Sequence, residues 1–321
     1  MRVLNCSLSL LLASAALVVL SGCAPKNPLP ANKHYSSSVI DLPFIPPRSE
    51  LCASTSIEMV SLYWQSKTSY APLLSAKELD KRTLIPAKGG TLQVELVAAA
   101  RASGLLVYPL EPTLDALILE LNAQHPVIVL VNRSYAWYPL WHYAPINGYD
   151  AKEETLLSHF NDQANEMIAI KTFAALWERS GNWGVVLLPP GHIPASATVK
   201  TFLHSASDLE KTGMAKEAMR AYQSALARWP NNVDVLFALA NSHYRLNNLI
   251  EAEAHYRQLL ALDPMNPLAL NNLADLMCRT GRPEEALRLL EKAVTDEKEI
   301  ESIINTTKEE IGAGCRPLSK E

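Results

Sequence analysis

The sequence predicts an α+β domain followed by an all-α solenoid of paired helices, and three observations carry that reading. From about residue 127 the apolar pattern changes from helical spacing to short β-branched runs, of which Val127-Ile-Val-Leu-Val131 is the clearest. A Pro-rich break, Pro189-Pro190-Gly191 through Pro194, closes that region. Beyond the break a pattern returns every 34 residues. Ala218, Tyr222, Ala225 and Pro230 recur as Ala252, Tyr256, Leu259 and Pro264, and a third copy offers Ala286, Leu290 and Ala293.

Each element follows from local pattern. Ile57, Val60, Leu62 and Trp64, with Met59, mark a helix over 53–64. A more polar helix is expected over 75–84, and Gly89-Gly90-Thr91 opens another over 92–103, stopped by Gly104. A short strand at 105–110 and a helix at 113–122 precede the 127–131 strand. Further strands are expected at 142–147, 154–160, 167–172 and 183–188. Residues 193–198 form a short linker. In the repeats, Leu239-Ala240 match Leu273-Ala274, and turns fall at Gly213, Asn247 and Gly281. Small Ala residues let paired helices approach, and Pro ends the second helix of each pair. The spacing is that of tetratricopeptide repeats: about three helical pairs within 199–321, with a polar capping helix over 296–310. Such arrays present a concave face that usually holds a peptide or a partner protein. His243, Tyr244, Arg245 and Asn271-Asn272 are candidates to face it, solvated helix positions being the alternative.

Composition narrows the function. The 321 residues carry a net charge of −4 with no basic run, which speaks against nucleic acid as a partner. The eight His show no His-Glu-x-x-His spacing, and no Cys-x-x-Cys occurs, so no metal is expected. Lys88-Gly89-Gly90-Thr91 lacks the spacing of a phosphate-cradling loop, and no cofactor is expected either.

Cys52 opens an apolar helical run, where the positive end of the helix favours a thiolate. His142 follows far downstream in the strand Trp141-His-Tyr-Ala-Pro-Ile-Asn-Gly-Tyr-Asp. A thiol nucleophile and an imidazole base, distant in sequence and in that order, suit acyl-transfer chemistry. Taken singly, each has a plainer reading, Cys52 as a buried apolar thiol and His142 as a core histidine satisfied by a carbonyl.

Pro43-Phe44-Ile45-Pro46, Cys52, His142 and Gly148-Tyr149-Asp150 together resemble the bacteriocin-processing family of papain-like cysteine peptidases, in particular its lipoprotein-type members with a tetratricopeptide tail. The segment Phe173-Ala-Ala-Leu-Trp-Glu-Arg-Ser-Gly-Asn-Trp and the following Leu188-Pro-Pro-Gly extend the likeness. The resemblance implies a papain-like peptidase domain over 40–192, Cys52 as nucleophile and His142 as base. It also implies an orienting acid after the next strand, for which Asp162 stands ahead of Asn161, the Ser158-His159 pair being a further possibility. Asp150 reads as a turn residue. Two positions depart from the family pattern. Pro46 and Pro47 occupy the stretch where an oxyanion-donating Gln is usual, and Ala53 replaces a Gly. The oxyanion would then rely on the Cys52 backbone N–H plus Arg48, Ser49 or Ser54.

At the N-terminus, Arg2 precedes an apolar stretch over 10–20 that is too short to span a bilayer comfortably. Leu20-Ser21-Gly22-Cys23 resembles the lipobox of bacterial lipoproteins. This implies a signal peptide over 1–22, acylation of Cys23 and a flexible tether over 23–39. Ala24 in place of Asp favours the outer membrane, facing the periplasm. There Cys278 and Cys315 are candidates to pair, leaving Cys52 free; a bridge from Cys52 to either of them is the competing arrangement. The expected function is a lipid-anchored cysteine peptidase whose repeats bind protein substrate or a partner. A degenerate peptidase-fold scaffold is the rival, and acyl transfer to amines is a third possibility.

Overall fold

The computed structural model describes residues 35–46, 48 and 50–315; the expected signal peptide, Cys23, Pro47, Ser49 and most of the tether lie outside the described residues. Seven strands form one sheet: β1 (Ser38–Val39), β2 (Leu106–Pro109), β3 (Val127–Asn132), β4 (Trp141–Asp150), β5 (Thr155–Ser158), β6 (Glu166–Ala169) and β7 (Gly184–Leu188). Their order is β2-β7-β3-β4-β5-β6, with β1 beside β4, and every pairing is antiparallel. The continuous apolar run of β3 is buried throughout and lies between β7 and β4, while the edge strand β6 alternates exposed and half-buried residues. A strand covered on both faces needs that unbroken run; an edge strand does not.

The helices of this domain are α1 (Cys52–Lys67), α2 (Ala76–Thr83), α3 (Gln93–Ala102), α4 (Leu114–Asn122) and α5 (Ile170–Glu178). Helix α1 packs on β4 and β7 through Ala53, Ile57, Val60 and Trp64, and Trp64 Nε1 donates to the Leu187 carbonyl at 2.8 Å. Two expectations are corrected here. The strand expected at 167–172 ends at Ala169 and turns into α5, because Ile170, Phe173, Ala174 and Trp177 recur at helical spacing and bury together against β3. The tether expected to reach residue 39 is already ordered at Tyr35, whose ring meets Tyr149 edge-on at 6.2 Å, and Ser38–Val39 pairs with β4. Gly148 permits that pairing: a Cβ there would lie 2.9 Å from the Ser38 carbonyl oxygen.

The linker is a fixed joint. Buried Glu120 on α4 accepts from the backbone N–H groups of Ala195 (3.1 Å) and Ser196 (2.7 Å), and its carboxylate also pairs with His125 Nδ1 at 2.7 Å. Beyond it run α6 (Val199–Lys211), α7 (Ala215–Arg228), α8 (Val233–Arg245), α9 (Leu249–Leu262), α10 (Pro267–Arg279), α11 (Pro283–Leu290) and α12 (Lys298–Gly312). Phe202, Ala206 and Leu209 of α6 belong to the same apolar core as the sheet. The turns at Gly213, Asn247 and Gly281 have φ of +87°, +61° and +84°, so each helical pair closes with a left-handed residue of the kind Gly and Asn supply. Cys278 on α10 is bonded to Cys315, which ties the chain after α12 back to the last repeat.

Candidate active site

The chain enters α1 through a strained turn. Glu50 has φ +59°, a conformation costing a non-glycine residue about 1 kcal/mol. A charged cluster holds the turn. Arg48 pairs with Glu58 (2.7 Å) and Asp80 (3.3 Å) and donates to Thr55 Oγ1 (3.2 Å), while Ser54 Oγ donates to Asp80 at 2.6 Å. The start of α1 has no side-chain cap, so the amides of its first turn are left for other partners. The Cys52 sulfur takes that place. It lies within reach of its own N–H, that of Ala53 and that of Tyr143 on β4.

His142, one residue before Tyr143, opens into the same small cavity as Cys52, about 20 Å³ in volume and open to solvent on one side. Thr55, Met59, Phe160 and Asn161 also line it. The imidazole meets the Phe160 ring at 5.3 Å between centroids, and the Phe160 backbone carbonyl favours its protonated form. Arg133 stands on the Phe160 ring at 5.2 Å. Burial pushes the Cys52 thiol above its ordinary value, outweighing the three amides and the Arg133 charge. Burial first, and Arg133 second, lower His142 to about 4, against the pull of the Phe160 carbonyl. At rest near neutral pH the cavity therefore holds a thiol and a neutral imidazole.

The residues expected around this pair separate. Asn161 borders the cavity, with its amide donating to both oxygens of Glu166 at 2.8 and 2.7 Å. Asp162, ranked ahead of it from sequence, is exposed at the following turn and outside the cavity wall, because the chain leaves the sheet after Ser158. The group that meets the imidazole is the Phe160 carbonyl. His159 is occupied elsewhere: its Nδ1 accepts from Asn165 N–H (3.1 Å), so Nε2 donates to the Leu42 carbonyl (2.9 Å), and it holds the 42–45 approach in place. Ser158 Oγ donates to the Pro145 carbonyl at 2.8 Å. Asp150 accepts from the N–H groups of Lys152 and Glu153, as a turn residue does. Arg48 and Ser54, two of the three substitute oxyanion donors, are committed to carboxylates; Ser49 lies outside the described residues. Sequence reasoning did not single out Arg133, Tyr143 or Phe160. Two of these act through backbone atoms, and Arg133 carries no spacing signal.

In the repeats, the candidate binding residues mostly join helices to one another. His243 is buried and stacks on His255 (5.4 Å), Tyr244 donates to Asp275, Arg245 pairs with Glu210 (2.7 Å), and Asn272 donates to Asn241 (2.9 Å). Cys52 is a free thiol, Cys278 and Cys315 being bonded to each other. Among the described residues no group of three or more metal-ligating side chains converges, and no helix is long and apolar enough to cross a membrane.

Comparison with known families matches residues 205–255 and 237–299 to the tetratricopeptide repeat, and the chain carries such repeats. A curated relative, cellulose synthase operon protein C of Pseudomonas fluorescens (strain SBW25), is 26% identical over 151 residues, which is 43% of this chain and 12% of that protein. The chain thus matches only a small part of the relative's length. Among solved structures, a protein described as a C39-like peptidase from Bacillus anthracis is similar at TM-score 0.40 and 14% identity, covering 48% of this chain and 98% of that one. The type III secretion translocator chaperone SycD of Yersinia enterocolitica is similar at TM-score 0.34 and 16% identity, over 36% of this chain and 84% of that one.

Proposed function

We propose that this chain is a papain-like cysteine peptidase, held at the bacterial outer membrane by acylated Cys23 and facing the periplasm, whose repeats bind a protein substrate or partner. One observation carries the reading: Cys52, at an uncapped helix start, and His142, on the neighbouring strand, open into one cavity. In this reading neutral His142 takes the thiol proton as sulfur attacks the peptide carbonyl, and backbone amides of the first turn of α1 face the developing oxyanion. The imidazolium then protonates the leaving amine as the C–N bond breaks. Water, deprotonated by His142, releases the acid from the thioester and restores the thiol. Incubating the full chain with a peptide library and reading products by mass spectrometry tests this. Cleavage absent from Cys52→Ala and His142→Ala is the expected result, and a wild-type pattern no different from Cys52→Ala rejects it.

A second reading, a scaffold that binds without turnover, is favoured by a specific feature. Arg48 and Ser54 are tied up, and proline stands where the resembling family supplies its Gln, so neither of the two described candidates is a free side-chain donor for the oxyanion. Losing one such donor typically costs about a hundred- to a thousandfold in rate. The same library assay separates the two readings.

A further inference from the structure

The turn between β3 and β4 leads directly into His142, and it is apolar where a turn is ordinarily polar. Tyr135, Trp137, Tyr138, Leu140 and Trp141 all stand in solvent, Trp137 with 81% of its surface exposed. Trp137 stacks on Tyr135 at 5.7 Å and leans on Tyr138 at 6.1 Å. Single exposed apolar residues are ordinary, whereas a contiguous cluster marks a surface that binds something.

The turn is built to hold these rings outward. Asn132, which is buried, accepts from the N–H groups of Ser134 (3.0 Å) and Leu140 (2.9 Å) and donates to the Tyr135 carbonyl (3.3 Å). Arg179 reaches across from α5 to the carbonyls of Asn132 and Ser134. Burying one such ring would contribute roughly 1.5–3 kcal/mol. Folding alone gives no reason to fix several of them in water.

Position says what they serve. Trp141 and His142 are consecutive on β4, and β5 pairs with β4 only from Ile146 onward, so among the described residues no strand covers the 141–144 edge beside the Cys52 cavity. The described chain begins at the opposite end of β4, where Ser38 pairs with Tyr149, roughly 26 Å away at about 3.3 Å per residue. The turn is therefore continuous with the site and remote from the segment that leads to the expected membrane anchor. Between Arg133 and Tyr149 the sequence has no carboxylate, so nothing there selects a basic partner.

We propose that this aromatic turn is the substrate-reading surface of the Cys52–His142 site and that it takes an extended apolar stretch of polypeptide. The proposal rests on the peptidase reading of that site and deepens it by naming the substrate class. Binding is tested apart from turnover, with the full chain carrying Cys52→Ala and fluorescein-labelled decapeptides graded from zero to six apolar residues. The expected result is affinity that climbs with apolar content. That climb falls at least tenfold in a Trp137→Ala/Tyr138→Ala double variant whose melting temperature is unchanged. Affinity indifferent to apolar content, or unchanged in the double variant, overturns the proposal. Vesicles of phosphatidylethanolamine and phosphatidylglycerol form the second arm: binding to them that needs Trp137 and Tyr138, with flat peptide binding, assigns the turn to the membrane instead. Graded peptide binding without cleavage by the wild type overturns the peptidase reading and leaves apolar recognition standing.

Discussion

The backbone N–H of Tyr143 draws the Cys52 thiol's pKa down, so the strand that carries the imidazole also favours the thiolate. Alternation along β4 sends the Tyr143 side chain into the core, where its ring meets Trp183 at 5.7 Å, while His142 opens to the cavity. A one-residue slip of β4 would exchange these roles. Register is held at the far end by the Gly148 contact with Ser38 and at the near end by six consecutive pairings with β3.

The resting pair predicts an unusual pH profile. A base lowered to about 4 is already neutral across the physiological range, so peptidase activity should keep its acid limb near pH 4 rather than near 6.5. Arg133→Ala removes one of the causes, and the limb should move toward neutral while the Cys52 thiol rises further. Following the His142 ring signal by NMR, alongside the pH dependence of Cys52 alkylation, checks both. The same shift bears on stability. Because the folded value lies below the unfolded 6.5, the contribution of neutral His142 is complete above 6.5 and is lost as pH falls toward about 4. His142→Asn should lessen the fall across that window, leaving the share that comes from the other depressed histidines, His159, His192 and His243.

Asp162 and Asn161 are expected to part company. Asp162→Ala, at an exposed turn, should leave both activity and melting temperature within error. Asn161→Ala breaks the two bonds to Glu166 beside the cavity and should lower activity several-fold, with a modest loss of stability. Parallel rate measurements decide it; equal large losses in both would place the acid at the imidazole after all.

The particular residues show why the repeats were legible and the site only partly so. Repeats announce themselves because Ala218 and Ala252, or Gly213 and Gly281, do the same packing or turn work at a fixed period, and one offset aligns them all. Cys52 and His142 stood out by residue type and order. The Phe160 carbonyl and the Tyr143 amide belong to no residue type, and where they fall depends on how the sheet folds. The 166–178 segment was legible in part for a different reason: Met167 and Ile168 are strand, as they read, and the apolar run into Ile170 hid the helical spacing of Ile170, Phe173, Ala174 and Trp177.

Reduction of the Cys278–Cys315 bridge should loosen the end of the solenoid and leave the first domain intact. The bridge spans 37 residues and closes the chain after α12 onto α10, so its loss should cost about 2–4 kcal/mol. Melting with and without a reductant, read by hydrogen exchange in α10–α12 against β3, measures this. Protection lost equally in β3 would mean that the two parts unfold as one unit.

Glu120 makes the joint between sheet and repeats sensitive to acid. Burial alone would raise this carboxyl, but hydrogen bonds from His125 and Ser196 outweigh it and bring its value below the ordinary 4.5. As pH falls the unfolded chain takes up the proton first, so Glu120 contributes fully above 4.5 and progressively less as pH drops through its folded value. Glu120→Gln keeps the shape but sets an amide donor among the N–H groups of Ala195, Ser196 and the His125 ring. It should cost about 1–3 kcal/mol at neutral pH. The acid fall below 4.5 should shrink with it, while the fall that begins below 6.5, to which His142 and the other depressed histidines His159, His192 and His243 contribute, persists. Denaturant titrations of wild type and variant at pH 7, 5 and 3.5 separate the two limbs. A Glu120→Gln curve parallel to wild type at every pH would show that this carboxylate does not govern the joint.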